Sequence, residues 1–130
     1  MILHFVLAIS LLVNGFEPRK KIKLCAQQPP LSKMDKAFAN LQECETLSLS
    51  TNAIDRIGSL AGMSKLKILS LGRNNIKKIE KLEEVSSTLE QLWISYNQIA
   101  SRAGIEKLQH LQVTSIPPPV STVRHDPRPD

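Results

Sequence analysis

Residues 66–85 read LKILSLGRNNIKKIEKLEEV, and this stretch decides the fold. Its apolar residues follow the template LxxLxLxxNxIxxIxxLxx, which occurs in two further copies along the chain. The copy that begins at Cys44 precedes it by 22 residues, and the copy that begins at Leu89 follows it by 23. A fixed period of this length is the sequence signature of stacked structural repeats.

Each position of the template has a physical reading. The LxL step has a period of two, which places both residues on one face of a short strand. The later apolar residues recur every three positions, which favours helical or 3₁₀ turns on the outer side. A single coil cannot bury its own apolar edge, so the coils must stack. We therefore predict an α/β right-handed solenoid with a concave parallel sheet and convex helical turns.

The polar position of the template is an asparagine, which falls where the chain must turn out of the strand. We expect its amide to bond backbone groups of neighbouring coils, so that stacked coils repeat the bond. The residues of this predicted structural ladder are Asn52, Asn74 and Asn97.

The repeat sets the predicted organisation of the chain. Upstream of it, Ile22 to Ala26 reads as a strand, and Met34, Phe38 and Leu41 lie on one side of a predicted helix. Downstream, a further coil begins but has Thr114 at a leucine position, so we expect the last complete coil to expose its apolar edge. The predicted segments are an apolar N-terminal segment 1–20, an atypical capping coil 21–43, coils 44–65, 66–88 and 89–110, an aborted coil 111–116 and a disordered proline-rich tail 117–130.

The apolar run of residues 2–13 is too short to span a bilayer, which needs about 20 residues. Its length is that of a signal-peptide core, although no Lys or Arg precedes it. A secreted or membrane-tethered recognition module is therefore one alternative. The two cysteines, Cys25 and Cys44, are too few for a disulfide framework and suit a reducing compartment.

Composition excludes several classes of function. The net charge of +5 (17 basic minus 12 acidic residues) is spread thinly, so dedicated nucleic-acid binding is not expected. The three histidines lie far apart, so we expect no metal site. Phosphate-binding glycine loops and nucleophile motifs are missing, so we expect no enzyme activity, cofactor or small-molecule substrate.

Outward positions of the predicted strands form rows across the coils and are candidates for binding a partner. Trp, Tyr and Arg are enriched in binding hot spots, and Trp93, Tyr96 and Arg73 occur here together. The competing interpretations are that Trp93 covers its own sheet, that Tyr96 packs along the turn and that Arg73 is a solvated charge. The candidate partner-binding residues are Trp93, Tyr96, Arg73, Ile68, Ser48, Ser70 and Gln91.

Several motifs go beyond the generic repeat, namely KIKLCAQQPPLSKMD, LSLSTNAIDRI, LKILSLGRNNIKKIE and TLEQLWISYNQI. Over about residues 21–111 they resemble the leucine-rich repeat light chains of outer-arm axonemal dynein. The resemblance implies a non-enzymatic subunit that attaches to a dynein heavy chain near its microtubule-binding stalk and acts in ciliary beating. It also implies a location in the cytoplasm, cytoskeleton and ciliary axoneme.

The same resemblance implies a link to tubulin, and the exposed lysines Lys77, Lys78 and Lys81 are the candidates for touching its acidic surface. Members of that family begin with a charged amphipathic helix and continue for further repeats, so the chain reads as a truncated or alternatively spliced form. Two further hypotheses stay open: a phosphatase-regulating protein, because the 22-residue unit is shared, and a fragment with little function.

Overall fold

A computed structural model of the chain describes residues 20–34, 38 and 40–115. The predictions for the apolar N-terminal run, for Ile116 and for the proline-rich tail lie outside these residues. The described part forms one five-stranded sheet in which the strand order follows the chain order. The strands are β1 (Lys21–Lys23), β2 (Thr46–Ser48), β3 (Ile68–Ser70), β4 (Gln91–Trp93) and β5 (Val113–Ser115).

All neighbouring strands are parallel, and the pairing keeps the repeat in register. Leu47 pairs with Leu69, and Leu69 pairs with Leu92. The backbone ladder continues past the three-residue strands, because Leu49 donates its N–H to Ser70 O at 2.8 Å and Leu71 to Trp93 O at 2.7 Å. Each coil therefore adds one rung to the sheet, and the predicted solenoid with its concave parallel sheet is confirmed.

The core is a column of aliphatic side chains between the sheet and the outer turns. The inward residues of the LxL step, such as Leu69 and Leu71, have no exposed surface. Fully burying one such side chain is worth about 1.5–3 kcal/mol, so this column carries most of the stabilisation. Two template positions of the third coil are not fully buried in this column. Ile105 is only partly buried, and Arg102 is exposed.

The convex side of the described residues is made of turns and short 3₁₀ helices, among them Leu82–Val85 and Ile105–Lys107. No α-helix occurs within the described ranges. The spacing of three favours this result, because side chains three apart superpose in a 3₁₀ helix. The helix predicted between Met34 and Leu41 lies partly outside the described residues, but Phe38 and Leu41 are buried in the core as expected.

The asparagine positions connect neighbouring coils. The side-chain amide of Asn74 donates to Leu49 O at 3.1 Å and to Leu71 O at 3.0 Å. Its oxygen accepts from the N–H of Ile54 at 3.0 Å. Asn74 is buried, whereas Asn52 and Asn97, nearer the two ends of the described stack, are half-buried.

The other two asparagines repeat this geometry. Asn52 donates to Leu24 O at 2.9 Å and accepts from the N–H of Leu31 at 3.0 Å. Asn97 donates to Leu71 O at 2.9 Å and accepts from the N–H of Ile76 at 2.9 Å. Every asparagine of the ladder therefore bonds the coil that precedes it.

Two boundaries differ from the sequence-based expectation. The first strand is Lys21–Lys23 and not Ile22 to Ala26, although the backbone ladder continues to Ala26, whose N–H donates to Ser50 O at 3.2 Å. The edge of the last complete coil is also not bare. β5 pairs with β4, and Gln112 donates its N–H to Glu90 O at 2.7 Å. Backbone bonds suffice for this strand, although its Thr114 is exposed where a leucine would be buried.

Candidate functional site

The concave face is built by the outward residues of the strands. The pairing aligns Thr46, Ile68 and Gln91 in one row. It aligns Ser48, Ser70 and Trp93 in the next row, two residues further along each strand. The alternation read from the sequence places these residues together because a strand turns every second side chain to the same face.

Trp93 is the largest side chain on this face, and 41% of it is exposed. Its indole Nε1–H donates to Oε1 of Gln91 at 3.2 Å. Its partner in the register on β3 is the small Ser70, so no bulky neighbour on that strand covers the ring. The indole is thus oriented by one hydrogen bond and remains open to a partner.

A second row lies at the strand ends and is set by the backbone. Thr51, Arg73 and Tyr96 occupy the same repeat position with φ values of 59°, 56° and 61°. Non-glycine residues rarely adopt this left-handed conformation, which costs of order 1 kcal/mol each. The neighbouring coils fix it by bonds such as Arg73 N–H to Ser95 O at 2.9 Å. The three side chains therefore stand side by side at one edge of the sheet.

Arg73 and Tyr96 contact each other within this row. The guanidinium carbon of Arg73 lies 4.4 Å from the centroid of the Tyr96 ring. Tyr96 is 68% exposed, so a contact of this kind is worth about 0.5–1 kcal/mol. Both side chains are accessible, and together with Trp93 they form what we call the aromatic edge (Arg73, Trp93 and Tyr96).

The opposite half of the face is shallow and polar. The thiol of Cys25 lies 3.2 Å from Oγ of Ser48 and 3.5 Å from Oγ of Ser50. Partial burial raises the pKa of the Cys25 thiol, but these serine hydrogen bonds outweigh burial and leave the pKa below its ordinary value. The side chains between Cys25 and Trp93 in these rows are the small serines Ser48 and Ser70.

Sequence reasoning missed two residues of this face. Lys21 and Lys23 are the outward residues of β1, they are exposed, and they pair with Thr46 and Ser48 of β2. The signal was available, since KIK alternates in the same way as the later strands. It was missed because the first coil lacks the full template.

The described residues offer little for catalysis. Cys44 is buried, and desolvation by burial raises the pKa of its thiol to about 11, which disfavours the nucleophilic thiolate. Within residues 20–34, 38 and 40–115, no three His, Cys, Asp or Glu side chains are grouped to hold a metal ion. The same part of the chain contains no helix long and apolar enough to cross a membrane.

The convex side has an open cleft of about 560 Å³ between the second and third coils. Lys77, Lys78 and Lys81 line it, and so do Glu80 and Glu83. The two signs of charge lie close together, so the cleft has no single electrostatic preference. The convex lysines are exposed as the sequence suggested.

Stacked coils with a parallel concave sheet, an asparagine ladder and an aliphatic column define the leucine-rich repeat solenoid fold. A family model described as "Leucine rich repeat" matches residues 20–76. Among solved structures, internalin C2 from Listeria monocytogenes superposes with a TM-score of 0.60 and 25% identity, over 79% of this chain and 46% of that one.

The chain is similar to dynein axonemal light chain 1 from several organisms, so the resemblance seen in the motifs is confirmed. The Danio rerio protein is 58% identical over 72 residues, which are 55% of this chain and 38% of the relative. The Chlamydomonas reinhardtii protein is 56% identical over 91 residues, 64% of this chain and 46% of the relative. The chain thus spans less than half the length of these curated relatives. Nothing in these relatives bears out the secretion signal suggested by residues 2–13.

Proposed function

We propose that the chain is a non-enzymatic, protein-binding subunit that attaches to an axonemal dynein heavy chain near its microtubule-binding stalk. In this role it modulates ciliary or flagellar motility, and its location is the axoneme. Support comes from the similarity to dynein axonemal light chain 1. The fold is suited to binding a partner, because a rigid sheet presents its side chains at fixed spacings.

The observation that carries the proposal is the aromatic edge. Trp93 and Tyr96 are the exposed large hydrophobic side chains of the described residues, and Arg73 lies against one of them. Tryptophan, tyrosine and arginine supply most of the binding energy at many protein interfaces. Their juxtaposition beside small serines supports the proposal that the heavy chain docks on the concave face.

Capture of the full-length chain by the purified stalk region of an axonemal dynein heavy chain tests the proposal. We expect wild-type protein to be captured and Trp93→Ala to lose at least tenfold in affinity. His110→Ala is the control, because His110 is exposed but lies outside the concave rows. If Trp93→Ala and Arg73→Ala both bind like wild type, the concave face is not the docking surface. If wild-type protein is not captured, the proposed attachment is wrong.

A secondary proposal concerns tubulin and the convex lysines. Lys77, Lys78 and Lys81 are exposed on one turn, and exposed cations attract an acidic polymer surface. We expect weak, salt-sensitive cosedimentation with microtubules that Lys77→Glu/Lys78→Glu abolishes. Unchanged cosedimentation of that variant would remove these lysines from the contact.

A further inference from the structure

The strand segments that form the concave face carry positive charges and no negative ones. Its strands and the residues that follow them read KIKLCA (21–26), TLSLST (46–51), ILSLGR (68–73) and QLWISY (91–96). These four segments contain no Asp or Glu, and their charged residues are Lys21, Lys23 and Arg73, all exposed. A partner that covers this face must meet three cations and no carboxylate from these segments.

The two lysines and the aromatic rings occupy different ends of the sheet, whereas Arg73 lies against Tyr96. Lys23 lies on β1, Trp93 lies on β4, and Ser48 and Ser70 stand between them in the same row. Neighbouring strands are spaced by about 4.8 Å, so three steps separate the lysine from the tryptophan by about 14 Å. The face thus has a lysine end on β1 and an aromatic end on β4 about 14 Å apart, with small side chains between them.

These small side chains determine what can lie between the two ends. Gly72 and the serines of the rows have few side-chain atoms that project from the sheet there. A Cβ added at Gly72 would lie 3.3 Å from Ser95 O, its nearest atom. A helix is about 10 Å wide and rises 1.5 Å per residue. About nine helical residues therefore connect the two ends of the face.

We infer that the concave face takes an acidic amphipathic helix that crosses the strands, with an apolar anchor at the aromatic edge and carboxylates about nine residues away at Lys21 and Lys23. This inference rests on the proposed function, since it specifies which kind of heavy-chain segment the face accepts. It also assigns a role to Lys21 and Lys23. Lysines on an edge strand alternatively serve only to discourage strand addition, and that role would leave helix binding unaffected.

The first experiment uses two synthetic 20-residue helices and does not depend on dynein. Both carry the same leucine anchors, and one has three Glu about nine residues from the anchors where the other has Gln. We expect the Glu helix to bind the full-length chain at least tenfold more tightly at 50 mM KCl, with the difference shrinking at 300 mM because salt screens exposed charges. Equal affinities for the two helices would overturn the inference.

Charge reversal then locates the effect. Lys21→Glu/Lys23→Glu should remove the preference for the Glu helix, whereas Lys33→Glu/Lys107→Glu, with the same change in net charge on exposed residues outside the sheet face, should keep it. Lys21→Gln/Lys23→Gln serves as the second variant if the reversal disturbs β1, and thermal unfolding checks that each variant is folded. Retention of the preference by a folded Lys21/Lys23 variant would contradict the inference.

The stalk region is measured in parallel, so that the two proposals fail separately. If the stalk binds wild-type protein, weakened binding by the Lys21/Lys23 variants and loss by Trp93→Ala support both proposals. Loss by Trp93→Ala without any effect of the lysine variants keeps the docking surface and rejects the acidic helix. If the stalk does not bind but the Glu helix does, the heavy-chain proposal fails and the acidic-helix inference stands.

Discussion

The guanidinium carbon of Arg73 lies 4.4 Å from the centre of the Tyr96 ring, although 23 residues separate the two in the chain. Both residues adopt the left-handed backbone of the same repeat position. The stacking of coils therefore creates a contact that neither residue makes within its own coil.

The Arg73–Tyr96 contact should appear as a coupling free energy. Because Tyr96 is largely exposed, a double-mutant cycle with Arg73→Ala and Tyr96→Ala should give about 0.5–1 kcal/mol by urea unfolding. Alanine keeps a Cβ at the positive φ, so the backbone strain cancels in the cycle. A coupling indistinguishable from zero would mean that the two side chains move independently.

The buried asparagine of the ladder should be far more important than its neighbour in sequence. Asn74→Ala removes side-chain bonds to Leu49 O, Leu71 O and the N–H of Ile54. We expect it to lower the free energy of unfolding by about 3 kcal/mol, because buried backbone groups lose their partners. Asn75→Ala is the control, since Asn75 is exposed and only its backbone N–H bonds Ile54 O. Similar losses for both variants would argue against the ladder.

Adjacent residues of β4 should separate stability from binding. Leu92 is fully buried and Trp93 is 41% exposed. Leu92→Ala should cost about 3 kcal/mol of unfolding free energy, whereas Trp93→Ala should cost less than about 1 kcal/mol. Chemical denaturation measures both. A large loss of unfolding free energy for Trp93→Ala would show that the ring stabilises the sheet. Weaker capture of that variant could then no longer be attributed to a lost contact with the partner.

Replacing Gly104 by any residue that has a Cβ should destabilise the fold. Its φ is +105°, and an added Cβ would lie 2.7 Å from Ile79 O. Gly104→Ala should therefore destabilise the fold by about 2 kcal/mol or more through strain and collision. At Gly72 the nearest atom is at 3.3 Å, so Gly72→Ala should cost less. Thermal unfolding shows which of the two variants is less stable. A greater loss of stability for Gly72→Ala would contradict the close approach of Gly104 to Ile79.

The two thiols should differ in reactivity and in their effect on stability with pH. Cys25 is exposed with a lowered pKa, so iodoacetamide at pH 8 should modify it and spare buried Cys44. For Cys44, burial raises the folded-state pKa from 9.0 to about 11. The protonated thiol then contributes stability in full below about pH 9, and this contribution is lost as the pH rises towards 11. Cys25→Ser is the control, and rapid labelling of Cys44 in that variant would be inconsistent with its burial.

The sequence predicted the parts of the fold that depend on local pattern. The LxL step identifies Leu69 and Leu71 as core residues because period-two alternation is a property of one strand alone. The register then follows, since coils of nearly equal length superpose equivalent positions. For this reason the sequence alone predicts the rows that contain Ser70 and Trp93.

Contacts between coils were harder to predict, because they depend on side-chain directions at neighbouring coils. The carboxylate of Glu84 accepts from the N–H of Leu60 at 2.8 Å, although the template treats its position as a solvent-facing one. β5 was also underestimated, because Thr114 breaks the apolar pattern while the backbone still pairs. Lys21 and Lys23 alternate as the later strands do, but the first coil lacks the rest of the template that identifies the concave rows.

The asparagine ladder has a direction, and that direction has a consequence for biosynthesis. Asn74 bonds Leu49, 25 residues earlier, and Asn52 and Asn97 likewise bond the preceding coil. A ribosome releases the N-terminal coils first, so the backbone group that accepts each of these bonds is synthesised before the asparagine that donates it. Each newly synthesised coil therefore brings with it the side chain that fastens it to the coil before, and the stack can grow coil by coil in the direction of translation.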